Sequence, residues 1–310
     1  MSVLVCSYAD DRWLDLVAAV ESIRRQTAAP GEIVVVVDHN PRLLERVRTE
    51  LPDVVAVPNK EHRGLSGARN SGVAVARGDV IAFIDDDAVA AEDWLEQLVA
   101  AYVDARVLGV GGAAEPAWET GRPRAFPEEF DWVVGCTYRG MPVQRAEVRN
   151  LIGANMSFRR DVLDVAGRFR SGIGRIGTRP IGCEETELCI RARRRSPHGL
   201  FVFEPAARVT HRVPRQRVTL RYFGARCYAE GWSKAVVARL AGSADGLSTE
   251  RSYVRRTLPR AIVRGLADCL LRADLGGLGR SAAVVFGLAC TTTGYAVGLV
   301  TARPDSLGGT

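Results

Sequence analysis

The chain has 310 residues, of which 47% are hydrophobic and 25% are charged, and its formal net charge is +6. This composition excludes a disordered or fibrous chain and predicts a globular protein of one large or two smaller domains. The seven cysteines are odd in number and form no CxxC pair, which argues against a disulfide framework or a zinc knot and favours a reducing compartment. The first residues do not resemble a secretory signal peptide, so we expect a cytoplasmic protein.

Positive charge is concentrated in the last third of the chain. Residues 205–310 contain 16 Lys and Arg against 6 Asp and Glu, whereas residues 1–204 contain 26 against 30. Basic surfaces bind nucleic acid, anionic lipid or phosphorylated substrates. Because these arginines alternate with apolar residues and form no continuous tract, we expect a lipid or phosphate partner and no nucleic acid.

The first hundred residues alternate short β-branched runs with helical patterns. The predicted strands are 2–6, 32–38, 54–58 and 79–87. The predicted helices between them are 12–26, 41–51 and 65–78. The run at 32–38 is apolar on both faces, as is typical of a central parallel strand. This alternation predicts a parallel sheet wrapped by helices.

The middle of the chain is less regular. Residues 113–132 are rich in proline and charge and are predicted to form a loop, whereas residues 150–169 are predicted to form a strand and a helix. Four glycines between 172 and 182 predict a mobile loop that leads into an acidic helix start.

The C-terminal region is helical by its pattern. Residues 220–242 and 253–276 are long basic helical stretches, and residues 281–302 contain no charged side chain. The last stretch is long enough to cross a bilayer, although threonines and glycines dilute it. The sequence leaves open a membrane span, a helix that lies on the membrane, and a core helix.

Polar side chains follow three of the predicted strands at the edge where parallel sheets bind ligands. These residues are Ser7, Tyr8, Asp38, Asp85, Asp86 and Asp87. On an extended segment Asp85 and Asp87 point the same way while Asp86 points elsewhere. Carboxylates are ligands of Mn²⁺ and Mg²⁺, so we predict a metal site. The alternative is a solvated turn that caps a helix predicted at 92–104.

Five segments in order resemble glycosyltransferase family 2. They are VLVCSYADD, EIVVVVDHN, HRGLSGARNSGVAVARGDVIAFIDDD, GANMSFRRDVLDVAGRF and GCEETELCIRARR. The third is similar to the family's GLSxARNxG segment followed by its Asp-any-Asp motif, and the last is similar to GED-x-D-L-x-x-R. The resemblance covers roughly residues 2–215.

The resemblance implies an α/β fold of the GT-A type, Rossmann-like, with a mainly parallel sheet flanked by helices and a basic helical C-terminal extension. Residues 1–215 would form the catalytic domain, with a nucleotide-sugar-binding half (1–112) and an acceptor-side half (113–215). Residues 216–310 lie beyond the resemblance, and their own pattern predicts a helical, basic region that is a candidate for membrane association.

The resemblance also implies roles for the residues at the strand ends. Ser7, Tyr8 and Asp38 would bind the nucleotide base and ribose. Arg69 would bind the diphosphate or the base; its alternative is a helix-surface arginine paired with an acid. The donor would also contact Asp85 and Asp86.

Metal ligands and a catalytic base are implied in the same way. The metal would be Mn²⁺ or Mg²⁺, held by Asp87, Asp85 and His211, although a lone histidine such as His211 is often structural. The base would be Glu185, which aligns with the family's Asp, or its neighbour Glu184; the alternative is an acidic helix N-terminus favoured by the helix dipole.

An acceptor pocket is expected beside the base. Trp118, Trp132 and Asn155 are candidates to line it, with core packing as the alternative for the tryptophans.

The function implied is that of an inverting, metal-dependent glycosyltransferase, a hexosyltransferase, that moves a sugar from a nucleotide-diphosphate sugar to an acceptor hydroxyl. UDP-sugars are the favoured donors, and the acceptor is unknown. One alternative is a polyprenyl-phosphate glycosyltransferase attached to the inner face of the membrane through the C-terminal region. Another is a degenerate member that only binds nucleotide or glycan, because His39 and Glu185 stand where the family usually has Asp. A sugar-phosphate nucleotidyltransferase is disfavoured because the first strand lacks a Gly-rich basic loop.

Overall fold

The computed structural model describes residues 1–175, 181–242 and 248–301. Within these residues nine strands form one mixed sheet, in the order β3-β2-β1-β4-β8-β6-β9-β5, with β7 paired to β9. The strands are β1 (Ser2–Ser7), β2 (Glu32–Val37), β3 (Val55–Pro58), β4 (Val80–Asp85), β5 (Ala88–Ala90), β6 (Val107–Trp118), β7 (Ala146–Val148), β8 (Asn155–Arg159) and β9 (Leu200–Val213).

Helices cover both faces of this sheet and continue beyond it. They are α1 (Trp13–Arg24), α2 (Pro41–Glu50), α3 (Leu65–Val75), α4 (Trp94–Ala100), α5 (Arg160–Ala166), α6 (Glu184–Arg195), α7 (Leu220–Ala241), α8 (Ser248–Ser252), α9 (Leu258–Arg272) and α10 (Leu275–Thr301). A π-helical turn at Tyr253–Thr257 joins α8 to α9. Local chemistry explains some boundaries: Asn40 caps α2 by accepting from the Leu43 amide at 3.0 Å, and a proline occupies the first turn.

The predicted parallel half of the sheet is confirmed. Strand β1 runs parallel to β2 and β4, with Ser7 opposite Val37 and Cys6 opposite Asp85. This register brings the carboxyl ends of the three central strands to one edge. The polar residues that follow those strands therefore lie side by side.

The second half of the sheet differs from the sequence expectation. Strand β8 is antiparallel to both β4 and β6, so the sheet is mixed. The loop predicted at 113–132 was wrong at its start, because β6 continues to Trp118 in a long parallel pair with β9. Three glycines in β6 lower its strand propensity, and only pairing on both edges makes it a strand. The helix predicted at 92–104 is shorter and ends in a 3₁₀ turn at Ala101–Val103.

Two apolar cores lie on opposite faces of the sheet. Val3 and Val5 of β1 face the core made with α1, α2 and α4, whereas Leu4 faces the core made with α3, α5 and α6. This alternation follows from the two-residue period of a strand. The result is a three-layer α/β/α arrangement.

The C-terminal helices α7, α9 and α10 share a third apolar core with the segment that follows β6. Its residues include Phe126, Phe130, Phe223, Leu258 and Val284. Glycines let the backbones of α7 and α10 approach closely: a Cβ on Gly231 would lie 1.9 Å from the Thr291 carbonyl oxygen.

Helix α10 combines length with an apolar surface. Among the described helices it alone is long and apolar enough to cross a membrane, with a mean hydropathy of 1.7 and only 22% of its most apolar stretch buried. Because most of it is not packed against protein, a purely core-forming role does not fit this helix.

Candidate active site

The aspartate triplet lies where β4 ends, at the edge of the sheet shared with β1 and β2. Asp86 and Asp87 are 2% and 6% exposed. Their carboxylates bond to side chains of other elements, such as Ser7 and His211. This burial excludes a solvated turn that caps the next helix.

Asp85, Asp87 and His211 form the group that could hold a metal ion. One ligand atom from each residue lies within 4.8 Å of the others. His211 Nε2 lies 3.1 Å from Asp87 Oδ1 and 3.7 Å from Asp85 Oδ2. Two carboxylates and an imidazole are a suitable donor set for Mn²⁺ or Mg²⁺.

Strand pairing places His211 in this group. The short strand β5 follows the triplet and runs antiparallel to β9, with Ala88 opposite His211. The Arg212 amide donates to the Asp87 carbonyl oxygen at 2.8 Å. The histidine is therefore held beside the triplet by backbone hydrogen bonds, although it lies more than a hundred residues further along the chain.

Electrostatics at this group favour ionised partners. Burial alone would lower the pKa of His211, but the carboxylates of Asp87 and Asp85 outweigh it and raise that pKa. Burial likewise opposes ionisation of Asp87, and the charges of His211, Arg217 and Arg12 lower its pKa well below the usual range. The two carboxylates and the imidazole therefore stabilise one another in their charged forms.

Asp86 is not part of the metal group, but the Arg12 guanidinium bridges its carboxylate to that of Asp87. Its carboxylate accepts from Ser7 Oγ at 2.7 Å and from Arg12 at 2.5 Å. Burial raises the pKa of Asp86 to about 7, an effect that Arg12 opposes. Asp86 therefore fixes Ser7 and Arg12 at the edge of the sheet.

A small cavity of about 70 Å³ opens over these strand ends. Ser7, Tyr8 and Asp38 line it together with the triplet, so the structure brings the predicted nucleotide-binding residues together. The Asp38 carboxylate accepts from the Gly64 amide at 2.9 Å and from Asn59 Nδ2 at 2.6 Å, which fixes its direction.

Sequence reasoning missed three arginines of this cavity, Arg12, Arg175 and Arg217. Arg12 and Arg217 both bond to Asp87, the latter at 3.2 Å. Arginine forks suit phosphate oxygens. A basic residue soon after the first strand was a signal that could have found Arg12; no local signal marks Arg217.

Arg69 does not lie on a helix surface. It is 2% exposed and donates to Glu184 Oε1 at 2.6 Å and to the Gly153 carbonyl oxygen at 2.9 Å, while its other nearby carboxylate, on Asp85, is 3.7 Å away. The arginine therefore connects the triplet to the start of α6. It also neutralises Glu184.

Of the adjacent Glu184 and Glu185, only Glu185 has no arginine partner among the described residues. It lines a larger cavity of about 320 Å³. Asp85, Arg217 and His211 line the same cavity. Burial raises the pKa of Glu185 to about 8, and the neighbouring charge of Glu184 adds to the effect. Once ionised, a carboxyl with this pKa is a stronger base than an ordinary glutamate, and its ionised fraction rises as the pH approaches 8.

The three candidates for the acceptor pocket separate in the structure. Trp132 lines the larger cavity and donates from Nε1 to the Tyr253 hydroxyl at 3.2 Å. Trp118 instead packs against Phe126, with ring centroids 5.1 Å apart. Asn155 is fully buried, and its amide bonds to Ala113, Ala207 and Trp94, so it joins strands and does not face the cavity.

Residues 2–167 match the family model described as glycosyl transferase family 2. The chain belongs to this family. It is a glycosyltransferase with a GT-A fold and a C-terminal helical extension. It is similar to the glucosyl-dolichyl phosphate glucuronosyltransferase of Haloferax volcanii, with 34% identity over 305 residues that cover 97% of this chain and 96% of the relative.

Solved structures of glycosyltransferases share the fold. The mannosyltransferase of Pyrobaculum calidifontis, solved with GDP-Man and Mn²⁺, is 17% identical, with a TM-score of 0.57 over 94% of this chain and 86% of that chain. GalNAc-T7, solved with UDP, GalNAc and Mn²⁺, has 17% identity and a TM-score of 0.52 over 76% of this chain and 49% of that chain.

Proposed function

We propose that this glycosyltransferase is metal-dependent and inverting, and that it moves a sugar from a nucleotide-diphosphate donor to a hydroxyl of a lipid-linked acceptor. The observation that carries the proposal is that two members of the metal group, Asp85 and His211, line the same cavity as the Glu185 carboxyl. This shared cavity supports a charge-stabilising site and a proton acceptor that would act on one transferred sugar.

The donor half of the proposal uses the smaller cavity. Asp38 would accept from a base N–H or a ribose hydroxyl, beside Ser7 and Tyr8. Asp85, Asp87 and His211 would hold Mn²⁺ or Mg²⁺, which when bound neutralises charge on the leaving diphosphate. Arg12 and Arg217 place fixed positive charges at the same edge.

The transfer step would need one base. Glu185 would take the proton of the acceptor hydroxyl as its oxygen bonds to the anomeric carbon, while the bond from that carbon to the diphosphate breaks and its electron pair leaves with the diphosphate. Displacement in a single step inverts the anomeric centre. Glu184 would position the site through Arg69 and take no part in proton transfer.

The acceptor half of the proposal rests on the relative and on the C-terminal helices. The Haloferax volcanii relative is named for a glucosyl-dolichyl phosphate and for transfer of glucuronic acid. Leu270, Leu271 and Leu275 are each at least 80% exposed at the junction of α9 and α10. Leu271 lines a cavity together with Arg264, Arg272 and Arg280. We therefore place this region on the cytoplasmic face of a membrane, with a lipid-linked acceptor and UDP-linked hexose or hexuronic acid as the donor.

Thermal shift with UDP, GDP, dTDP and CMP, each with and without Mn²⁺, tests the donor half. We expect one nucleotide, UDP first, to raise the melting temperature only when Mn²⁺ is present, because a ligand that binds the folded state stabilises it. A transfer assay with the matching nucleotide sugars, including the glucuronate, then identifies the sugar. Stabilisation by a nucleotide that is equal with and without metal would contradict the metal site.

Glu185 predicts the pH dependence of transfer. Its pKa is raised to about 8 by burial, and the base must be ionised to accept a proton. We expect kcat/KM to rise with pH and to level off above about pH 8, since kcat/KM reports groups of the free enzyme. Any residual activity of Glu185→Gln should not show this rise of kcat/KM with pH. A profile for the unaltered enzyme that is flat across pH 8 would contradict the assignment.

A further inference from the structure

The larger cavity extends well beyond the catalytic carboxylates. Its near end is lined by Asp85, Glu185 and His211, and its far end is built by α7, α8 and the segment before β8. That far end carries a cluster of charged side chains that the proposed chemistry does not use. We call it the basic cluster; its members are Arg149, Arg226, Lys234, Glu230 and Glu250.

The basic cluster is tightly connected. Lys234 Nζ lies 2.9 Å from Glu250 Oε1 and 3.5 Å from Glu230 Oε1. Arg149 donates to both Glu250 oxygens at 2.7 Å, and Arg226 Nη2 lies 3.4 Å from Glu230 Oε2. The three cationic side chains are only 11–12% exposed. Such buried charges need anionic partners.

The charges of the basic cluster that the structure describes are mainly positive. Among the described side chains the basic cluster has three cations and two carboxylates. Burial alone would raise the pKa of Glu250, but Lys234 and Arg149 lower it to about 2. Burial raises the pKa of Tyr138, which lines the same cavity, so this phenol adds no negative charge near neutral pH. The wall therefore favours an anionic ligand.

The basic cluster adjoins the proposed base. Cys183 directly precedes α6, and its Sγ lies 3.3 Å from Glu230 Oε1. Glu184 and Glu185 begin that helix. An anion at the basic cluster would therefore be close to the hydroxyl that Glu185 deprotonates, and both would belong to one acceptor.

Apolar side chains continue the cavity toward the C-terminal helices. Trp132, Tyr253, Leu258 and Leu288 line it, and they come from the segment after β6, the π-helical turn, α9 and α10. An acceptor with an anionic group between a sugar and a hydrocarbon chain would match this cavity. Its sugar would lie near the Glu185 carboxyl, its anion at the basic cluster and its hydrocarbon chain against the apolar side chains.

We propose that the basic cluster is the binding site for the phosphate of a glycosyl phosphate acceptor, with Lys234 as its central cation, the sugar toward Glu185 and the hydrocarbon toward α9 and α10. This proposal rests on the proposed function and names the recognition element of its acceptor. The C-terminal helices thereby form part of the acceptor site as well as contacting the membrane.

Two acceptors that differ only in the phosphate test the proposal. Glucosyl geranyl phosphate and geranyl glucoside are each assayed as acceptors, with the donor that the transfer assay identifies. We expect kcat/KM to be about 10–100-fold higher for the phosphate, the range for hydrogen bonds to a charged group. In Lys234→Met this preference should shrink through a higher KM for the phosphate acceptor, with the donor KM unchanged.

Three controls separate recognition from folding. Lys234→Arg keeps the charge and should keep most of the preference, whereas Arg239→Met, on the same helix and outside the cavity, should leave it unchanged. Equal use of both acceptors by the unaltered enzyme, or an equal loss for both in Lys234→Met, would overturn the phosphate site while leaving the proposed transfer intact.

Calorimetric binding of the two acceptors without any donor covers the case in which no sugar is transferred. Two results support the site even if the proposed transfer fails. The unaltered protein binds glucosyl geranyl phosphate more tightly than geranyl glucoside, and Lys234→Met weakens the binding of the phosphate. Equal binding of the two acceptors would reject it.

Discussion

Asp87→Asn is expected to lower sugar transfer by about 10³-fold or more, since it removes a charge that both the metal group and two arginines depend on. The Asp87 carboxylate contacts His211 Nε2 at 3.1 Å and Arg217 at 3.2 Å. An amide has the same shape but binds a divalent cation poorly. Nucleotide binding should lose its requirement for Mn²⁺ together with most of its strength.

The measurement is a rate assay together with thermal shift in the presence and absence of Mn²⁺ and nucleotide. Asp93→Asn is a matched control, because Asp93 lies at the start of α4 and lines neither cavity. We expect the circular dichroism spectrum of Asp87→Asn to stay that of a folded protein. If Asp87→Asn keeps both its activity and its metal-dependent thermal shift, the proposed metal site is wrong.

Glu185→Gln and Glu184→Gln are expected to fail in different ways although the residues are adjacent. Glu185→Gln should lower kcat by about 10²–10⁴-fold with little change in KM, because it removes the proposed base. The pKa of Glu185 is raised to about 8 by burial. The carboxyl is therefore largely protonated at neutral pH, and a neutral amide should change the melting temperature little.

Glu184→Gln should mainly lower stability. It leaves the Arg69 guanidinium, which is 2% exposed, without its 2.6 Å carboxylate partner. Breaking a buried ion pair from one side costs about 3 kcal/mol or more. Urea denaturation of both variants measures this difference. The assignment of the base to Glu185 fails if Glu184→Gln keeps its stability and loses kcat while Glu185→Gln remains active.

Together the two pairs of variants divide the site by function. In the proposed mechanism Asp87 would act on the leaving group, Glu185 on the attacking hydroxyl, and Glu184 only on the geometry of the site. The Lys234 variants add recognition of the acceptor, which should appear in KM and leave the proton-transfer step unchanged. Each group of variants changes a different measured quantity, kcat, KM or stability. If the role proposed for one residue is wrong, the roles proposed for the others can still be tested.

The sequence by itself determined the parallel half of the fold. The apolar runs of β1, β2 and β4 and the helices between them carry strong periodic patterns, and parallel strands must end at one edge. Ser7, Asp38 and the aspartate triplet could therefore be predicted to meet there. That meeting follows from strand direction and from the positions of the polar residues in the sequence.

The second half of the sheet was not predictable in the same way. Strand β6 contains three glycines, at positions 109, 111 and 112, and its local pattern does not favour a strand. It becomes one because β8 and β9 pair with both of its edges. Such non-local pairing overrides the weak local propensity of a strand.

Tertiary structure alone decided which functional side chains meet. His211 lies beside Asp87 only because β5 pairs with β9. Arg69 bonds to Glu184, which is 115 positions further along the chain. Adjacent glutamates look equivalent in a sequence, and both line the larger cavity, yet only Glu184 is paired with the buried Arg69 among the described residues. The basic cluster likewise forms only when α7 and α8 pack beside the start of α6. Long-range packing sets the direction and the electrostatic surroundings of a side chain, and neither is encoded in local pattern.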